Sequence, residues 1–233
     1  MHNNRYTFIY AIGLSVLTAI ILVLTSETLK PLQESNLALD TKKNILKSVL
    51  IESENPKEIE SIYSERIEEM VLNDQGEKLD IDISKINMKN EISKDPGERN
   101  LPLYVYSGEG GEKAYVVPLR GVGLWGPIWG YISIKDDFNS VKGAFFDHKS
   151  ETPGLGAEIA EKPFQNQFQD KKILSGEGGF VSVNVMKLTE KSDLSSDNRV
   201  DAISGGTITS AGTDEMIKNC VKPYLAYFQK IKK

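Results

Sequence analysis

Residues that could build a metal or redox centre are scarce in this sequence. Its 233 residues include a single cysteine, Cys220, and two histidines, His2 and His148. One cysteine allows no internal disulfide, no CxxC redox pair and no four-cysteine site for zinc or an iron-sulfur cluster. We therefore expect no metal site, and no residue pattern indicates a general acid, a general base or a nucleophile for catalysis.

An excess of basic charge is absent too. The chain carries 28 lysine and arginine residues against 33 aspartate and glutamate residues, a net charge of −5. Nucleic-acid-binding domains usually present a basic surface, so nucleic acid is not an expected partner. The sequence also lacks the G-x-G-x-x-G pattern of a dinucleotide-binding turn. Its two SGEGG segments, at 107–111 and 175–179, instead predict hairpin turns.

One long apolar segment is present, TFIYAIGLSVLTAIILVLT at residues 7–25. At ~1.5 Å per residue it spans roughly 29 Å, close to the hydrocarbon thickness of a bilayer. A cleaved signal peptide is the alternative, but the segment is longer than is usual for one and no A-x-A site follows it. We predict an uncleaved transmembrane helix. Basic residues flank both ends of the span, so their distribution does not indicate its orientation. We predict the simpler topology, in which a short tail at 1–6 stays inside and the rest is translocated.

The residues after the span divide into a connector at 26–55 and a domain at 56–233. In the connector, Asp40 predicts the N-cap of a short helix. The domain begins with another helix signal, in which Asn55 is the N-cap and Pro56 the first helical residue. Apolar residues spaced three or four apart predict that this helix continues to about residue 72 with one buried face. These residues are Ile59, Ile62, Tyr63, Ile67, Met70 and Val71.

From residue 77 onward the apolar pattern changes to a period of two, which is typical of β-strands. Strands are predicted within 78–83, 103–106, 114–117, 130–134, 144–146 and 180–188. A short helix is predicted within 156–170, and a final helix runs from about Ser210 to Lys230 with a kink near Pro223. The fold class is therefore α+β, in which a mainly antiparallel sheet with packed helices follows the N-terminal transmembrane helix.

Small and hydroxyl residues are concentrated at 201–210, DAISGGTITS, directly before the last predicted helix. Free backbone N–H groups and the positive end of the helix dipole favour an anion at such a place. Four hydroxyl residues are available to bond it: Ser204, Thr207, Thr209 and Ser210. Gly205 and Gly206 would let a ligand approach the backbone closely. An ordinary N-cap with a tight turn is the alternative.

Two further segments have a composition suited to ligand contact. The first, HKSETPGLGAEI at 148–159, sets the polar Glu151 and Thr152 beside the apolar Leu155 in a turn rich in glycine. A plain surface loop with a structural histidine is its alternative interpretation. The second, LRGVGLWGPIWGY at 119–131, holds both tryptophans of the chain. They serve either as core packing or as a flat wall for a ring.

Together these segments resemble the FMN-binding domain in the C subunit of the Na+-translocating NADH:quinone oxidoreductase, and the resemblance covers nearly the whole chain. In that family FMN is joined through its phosphate to the threonine of a D-x-x-[ST]-G-A-T motif. The segment here is D-A-I-S-G-G-T, so the resemblance implies attachment to Thr207, with Gly206 where the motif usually has alanine. It also implies a separate flavin transferase, which takes FMN from FAD and recognises a motif that includes Asp201.

The same resemblance implies which residues contact FMN. The phosphate is expected at the helix start, Ile208 to Ser210, and the ring or ribityl chain beside Glu151, Thr152 and Leu155, with Trp125 nearby. The full set of cofactor-binding residues implied in this way is Trp125, Glu151, Thr152, Gly154, Leu155, Gly156, Ser204, Gly205, Gly206, Ile208, Thr209 and Ser210.

The implied function is electron transfer through covalent FMN in a membrane-anchored subunit of an NADH:quinone reductase, whose NADH site belongs to another subunit. The implied partners are the other membrane subunits, the flavin transferase and membrane lipid. The implied location is the bacterial inner membrane, crossed once, with the domain on the periplasmic side. Two alternatives stay open: the equivalent subunit of an Rnf-type ferredoxin:NAD+ complex, and a membrane-anchored scaffold without a redox role. The GLWGPIWGY segment favours the quinone reductase.

Overall fold

The computed structural model describes residues 4–95, 97–187 and 189–232. Contacts divide the chain into two units, the first ending at Thr41 and the second beginning at Lys42. Helix α1, Asn4–Ser48, holds all the described residues of the first unit. Its last residues, from Lys42 onward, belong to the second unit. The second unit holds the remaining helices and all the strands of the described residues.

The apolar segment at 7–25 lies within α1, and every residue in it is exposed. Among the described residues, α1 is the one helix that is long and apolar enough to cross a membrane. The helix start predicted at Asp40 is wrong, because α1 continues through that position. No glycine interrupts the residues between the span and Asp40, and Pro31 is accommodated inside the helix.

An antiparallel sheet forms the centre of the second unit. Its strands are β1 Ile67–Leu72, β2 Lys78–Leu79, β3 Leu101–Ser107, β4 Lys113–Val122, β5 Pro127–Lys135 and β6 Val141–His148. They pair in the order β2-β1-β3-β4-β5-β6, with every neighbouring pair antiparallel. Two short strands, β7 Asn184–Met186 and β8 Arg199–Asp201, pair in parallel as a separate sheet. The predicted α+β class with a mainly antiparallel sheet is confirmed.

Two predicted strands are shorter than expected. Of 78–83 only Lys78–Leu79 pairs, because Asp82 accepts the Ser84 N–H and caps a 3-10 turn. Of 180–188, whose last residue lies outside the described ranges, only the three residues of β7 pair. Ser182 has a φ of 67°, and this left-handed conformation interrupts the extended backbone.

The helices of the second unit are short apart from one. They are α2 Pro56–Arg66, α3 Met88–Ile92, α4 Lys162–Gln165, α5 Thr207–Val221 and α6 Leu225–Ile231. Asn55 caps α2 and Pro56 is its first residue, as predicted. The predicted continuation to residue 72 is wrong, because the chain becomes extended at Ile67 and enters β1. Met70 and Val71 are buried, but as strand residues, because the apolar spacing there also fits a sheet face.

The core lies between the sheet and α5. Helix α5 packs on β4, and its Met216 and Ile217 join the buried side chains of Val117, Leu119 and Ile128. The end of α1 docks on β5 and β6, where the Ser133 hydroxyl donates to the Ser48 carbonyl at 2.5 Å.

The C-terminal helix is divided as the sequence predicts. A 3-10 turn at Lys222–Tyr224, with Pro223 inside it, separates α5 from α6. The short helix predicted within 156–170 is present as a 3-10 turn at Gly156–Ala160, then α4, then a second 3-10 turn at Asn166–Phe168. Both SGEGG segments form turns between antiparallel partners, as predicted.

Candidate functional site

Two of the three segments meet at one end of the sheet. Strands β4 and β5 are joined by a tight turn, in which the Gly123 N–H donates to the Gly126 carbonyl at 2.8 Å. Strand β6 pairs with β5 so that His148 lies opposite Ile128, close to that turn. The chain that follows β6 therefore starts beside the turn that carries Trp125.

The third segment is the start of α5. The chain turns at 203–206, where Gly205 has a φ of 76°, a conformation that favours glycine. A Cβ added at Gly205 would lie 2.6 Å from Leu155 Cδ2, so Leu155 packs directly against this turn. Gly206 is the N-cap of α5 and Thr207 is its first residue.

Helix α5 starts three residues before the predicted start at Ser210. Ser210 is buried, its hydroxyl accepts the Ile203 N–H at 3.0 Å, and its own N–H donates to the Gly206 carbonyl at 2.8 Å. The Ser210 hydroxyl therefore closes the preceding turn from inside the helix. Thr207, which the sequence placed just before the helix, lies in its first turn.

The first turn of α5 has backbone donors that the helix itself does not use. The N–H groups of the first three helical residues have no carbonyl one turn earlier within the helix, and Gly206 offers no side-chain acceptor. Thr207 is exposed, and its hydroxyl makes no hydrogen bond with any residue that the structure describes. An anion bonded to that hydroxyl would lie at the positive end of α5.

Glu151 lies beneath the surface of the site, with 5% of its area exposed. Its Oε1 accepts the Trp125 N–H at 2.8 Å, and its Oε2 accepts the Thr209 hydroxyl at 2.6 Å. The Glu151 N–H donates to His148 Nδ1 at 3.2 Å. The structure thus brings Glu151 and Thr209 together as a buried pair that connects the three segments.

Exposed apolar side chains lie on all three segments. They are Val122, Leu124, Trp125, Leu155 and Ile208, which we call the apolar patch. Among the described residues from 82 to 230, no other large apolar side chain is exposed. Trp125, at 65% exposed, and Ile208, at 57%, therefore stand out from a surface that otherwise keeps such side chains inside. Concentrated apolar exposure of this kind is typical of a binding surface.

The loop after β6 contributes both shape and polar atoms. Thr152 is exposed. Gly154 has a φ of 76° and open space around an added Cβ, so its backbone conformation, not crowding, requires glycine. Gly156 is buried, and a Cβ there would collide with the Glu151 carboxylate and the Thr209 hydroxyl. Glycine is therefore required at 154 by the backbone conformation and at 156 by close packing.

The remaining predicted residues lie beside the site. Asp201 ends β8, where its N–H donates to the Gln167 side chain at 2.8 Å, and Ser204 is exposed in the turn before α5. A cavity of about 770 Å³ is lined by residues of α5 and of the chain that follows it, from Gly212 to Ala226. Val122 of the apolar patch also lines this cavity, whereas Thr207, Trp125 and Glu151 do not. Within the described ranges, no three His, Cys, Asp or Glu side chains come together as a metal ion would require.

Sequence reasoning missed three residues of the site, Val122, Gly123 and Leu124. Val122 and Leu124 belong to the apolar patch, and a Cβ at Gly123 would lie 2.6 Å from Glu151 Oε1. The sequence did point to this region, because all three residues lie in the glycine-rich segment around Trp125. What the segment could not indicate is which of its apolar residues face solvent.

A family model for the FMN-binding domain matches residues 123–222. This range begins in the turn of Trp125 and takes in the loop of Glu151, the turn of Gly205 and all of α5. The fold and the site together define a protein of the FMN-binding domain class.

Comparison with known relatives identifies the family within this class. A crystal structure of the Na(+)-translocating NADH-quinone reductase C subunit from Parabacteroides distasonis shares 39% identity at a TM-score of 0.78, and covers 86% of this chain and 96% of its own. The C subunit from Haemophilus ducreyi is 29% identical, covering 96% of this chain and 93% of its own. The crystal structure of Shewanella oneidensis NqrC, 23% identical with a TM-score of 0.68, shares the fold. This chain belongs to the family of the C subunit of the Na(+)-translocating NADH-quinone reductase, which confirms the resemblance seen in the sequence.

Proposed function

We propose that this chain is the subunit of a Na+-translocating NADH:quinone oxidoreductase that passes electrons through FMN bonded to Thr207. The observation that carries the proposal is an exposed threonine hydroxyl at the start of α5, next to an apolar patch contributed by three separate segments. The phosphate and the ring of FMN need these two environments side by side. The family model and the relatives support FMN as the ligand.

The start of α5 suits the phosphate. A phosphodiester on Thr207 keeps one negative charge, which the N–H groups of the first turn and the helix dipole stabilise. Because Gly206 is the N-cap, no side chain competes for those donors. Thr209 and Ser210 support this turn from below through their buried hydroxyls rather than by reaching the phosphate.

The apolar patch suits the isoalloxazine ring. Leu155 packs on the turn at Gly205, Ile208 follows Thr207 on α5, and Trp125 stands on the opposite turn. Covering apolar side chains stabilises binding by about 25 cal/mol for each Å² removed from water. Exposed Thr152 and Ser204 supply polar atoms at the edge, where the ribityl chain needs hydrogen bonds.

Attachment of the flavin needs a second protein, a flavin transferase that uses FAD. The Thr207 oxygen bonds to the phosphorus on the flavin side of the FAD pyrophosphate, the bond between the two phosphates breaks, and AMP leaves. The hydroxyl proton passes to solvent, so atoms and charge balance. Thr207 is open to such an enzyme because it is exposed, and Asp201 is exposed six positions earlier on β8.

A covalent bond removes the risk that the flavin dissociates. A Kd near 1 μM corresponds to roughly 8 kcal/mol, which would not retain FMN in a compartment where the free cofactor is scarce. FMN supplies the ability to accept and release electrons. The chain holds the flavin in place and leaves the patch open to a partner, while NADH oxidation belongs to another subunit of the complex.

Anchoring to the membrane is the second part of the proposal. The apolar part of α1, residues 7–25, crosses the bacterial inner membrane once and contacts lipid and neighbouring subunits. The tail at 1–6 lies inside, 26–55 connects the span to the domain, and the domain at 56–233 lies on the periplasmic side.

The test is intact-mass measurement of the full chain purified from cells that contain the transferase. We expect a gain equal to FMN minus one water, together with flavin fluorescence of the denatured band. Thr207→Ala should lose both signals and Thr207→Ser should keep them. Thr189→Ala, which removes an exposed threonine hydroxyl outside the site, is the control and should keep both.

A wild-type band without fluorescence would refute covalent flavin and favour a scaffold. Survival of the mass gain in Thr207→Ala would refute the attachment residue. Copurification of ferredoxin:NAD+ complex subunits instead of quinone reductase subunits would refute the choice of complex.

A further inference from the structure

Glu151 is a charged side chain in a place where charge is costly. Its carboxylate is buried, and it makes no ion pair with any lysine or arginine among the described residues. A buried carboxylate without a cation persists only where hydrogen bonds satisfy it. Two donors do so, the Trp125 backbone N–H and the Thr209 hydroxyl, one at each oxygen.

The surroundings of this carboxylate are shaped to fit it. An added Cβ at Gly123 would lie 2.6 Å from Oε1 and 2.9 Å from the carboxyl carbon. An added Cβ at Gly156 would collide with Oε2 and with the Thr209 hydroxyl. Two glycines from two different segments therefore enclose the carboxylate, and neither has the positive φ that would explain glycine in another way.

We propose that Glu151 is a positioning residue, which fixes the Trp125 side of the flavin site against the Thr207 side and sets a carboxylate beneath it. This inference rests on the proposed function of the site. One oxygen holds the turn between β4 and β5, and the other holds the first turn of α5 through Thr209. Hydrogen bonds to a charged group are stronger than those between neutral groups, so these two contacts hold both segments in place.

The charge has its own consequence for the flavin. No cation among the described residues pairs with it, and the interior screens it weakly, so it opposes the addition of negative charge to a flavin bound above. Neutralising Glu151 should therefore raise the midpoint potential of the bound flavin. A purely structural residue would not have this effect.

Replacement by glutamine separates the two roles. Its amide oxygen can accept the Trp125 N–H, and its amide nitrogen can donate to the Thr209 oxygen once that hydroxyl rotates. Glu151→Gln thus keeps the shape and both contacts but removes the charge. Thr209→Val has nearly the same volume as threonine and removes one of the two donors, whereas Thr209→Ser keeps it.

The experiment uses the full chain in detergent, with two readouts. In flavin-loaded protein, a spectroelectrochemical titration measures the midpoint potential, which should be higher in Glu151→Gln than in wild type. In flavin-free protein with Trp129→Phe, so that Trp125 is the single tryptophan, fluorescence anisotropy measures how firmly the turn is held. Anisotropy should fall in Glu151→Ala and Thr209→Val, and stay at the wild-type value in Glu151→Gln and Thr209→Ser.

Two results would overturn the inference. The first is an unchanged potential in flavin-loaded Glu151→Gln. The second is unchanged Trp125 anisotropy in Thr209→Val, a variant that tests the contact even where Glu151→Ala fails to fold. Wild type without any flavin would refute the proposed function instead, and the anisotropy comparison would still decide whether Glu151 positions the turn.

Discussion

Gly123→Ala should destabilise the protein although alanine normally stabilises a chain relative to glycine. Gly123 does not have a positive φ, so its backbone conformation is open to alanine. The added Cβ would lie 2.6 Å from Glu151 Oε1 and 3.1 Å from Ile128 Cγ2. Glu151 cannot retreat, because both of its oxygens are bonded and the opposite side is closed by Gly156. The carboxylate must therefore leave its place or the turn must open.

The size of the destabilisation follows from the hydrogen bonds that the added Cβ would weaken. Displacing the carboxylate weakens two hydrogen bonds to a charged group, each of which contributes about 1.5–3 kcal/mol. Alanine also restricts the unfolded chain, which stabilises the folded state by about 0.4–1 kcal/mol relative to glycine. We expect a net loss of about 2–4 kcal/mol, since relaxation keeps part of each bond. In a domain of this size that lowers the melting temperature by roughly 5–15 °C.

Gly126→Ala is the matched control from the same turn. Its Cβ would meet only the Ser150 hydroxyl, at 3.1 Å, and Ser150 is exposed and can rotate away. Its stability should change by no more than about 0.5 kcal/mol. Both variants are compared with wild type by thermal unfolding of the full chain in detergent, followed by near-ultraviolet circular dichroism. Equal melting temperatures for Gly123→Ala and Gly126→Ala would refute the tight enclosure of Glu151.

Three further predictions concern other parts of the domain. Burial raises the pKa of Asp214 above its ordinary 3.8, so its stabilising contribution is present below pH 3.8 and is lost as pH rises through the folded-state pKa. Asp214→Asn, which keeps an oxygen for the Val185 N–H, should therefore raise the urea midpoint at neutral pH, and the gain should vanish once the acid is protonated in both states. Burial raises the pKa of Cys220 to about 11, so a disulfide reagent at mildly alkaline pH should react roughly 100-fold more slowly than with a free thiol until urea unfolds the chain; a fast reaction would contradict the burial. Gly206→Ala would bring a Cβ to 2.9 Å from Ile203 Cγ2, the end of a side chain that can shift, so thermal unfolding should change by less than about 1 kcal/mol and the flavin should remain, whereas a dark band would show that glycine is needed there.

Local patterns predicted much of the fold because their causes are local. Asn55 and Pro56 began α2 as expected, since capping depends only on residues a turn away. The same reasoning failed at Asp40, which has a capping side chain but lies inside α1, and α5 begins three residues before the start expected at Ser210. A cap preference states what a residue can do at a helix end, and tertiary packing decides where the end falls. At 67–72 the apolar spacing fits both a helix and a strand. The segment forms a strand because it pairs with β3.

Residue types at short spacing were enough to predict the apolar helix, the α+β class, the family and the three segments of the candidate site. Which side chains of those segments face outward depends on how the segments pack together in three dimensions. It set Thr207, Leu155 and Trp125 at the surface and turned Glu151 and Thr209 inward against each other. Glu151 and Thr209 are 58 positions apart, so their contact depends on the pairing of β6 with β5 and the packing of α5 on β4. No pattern within a single segment contains that information.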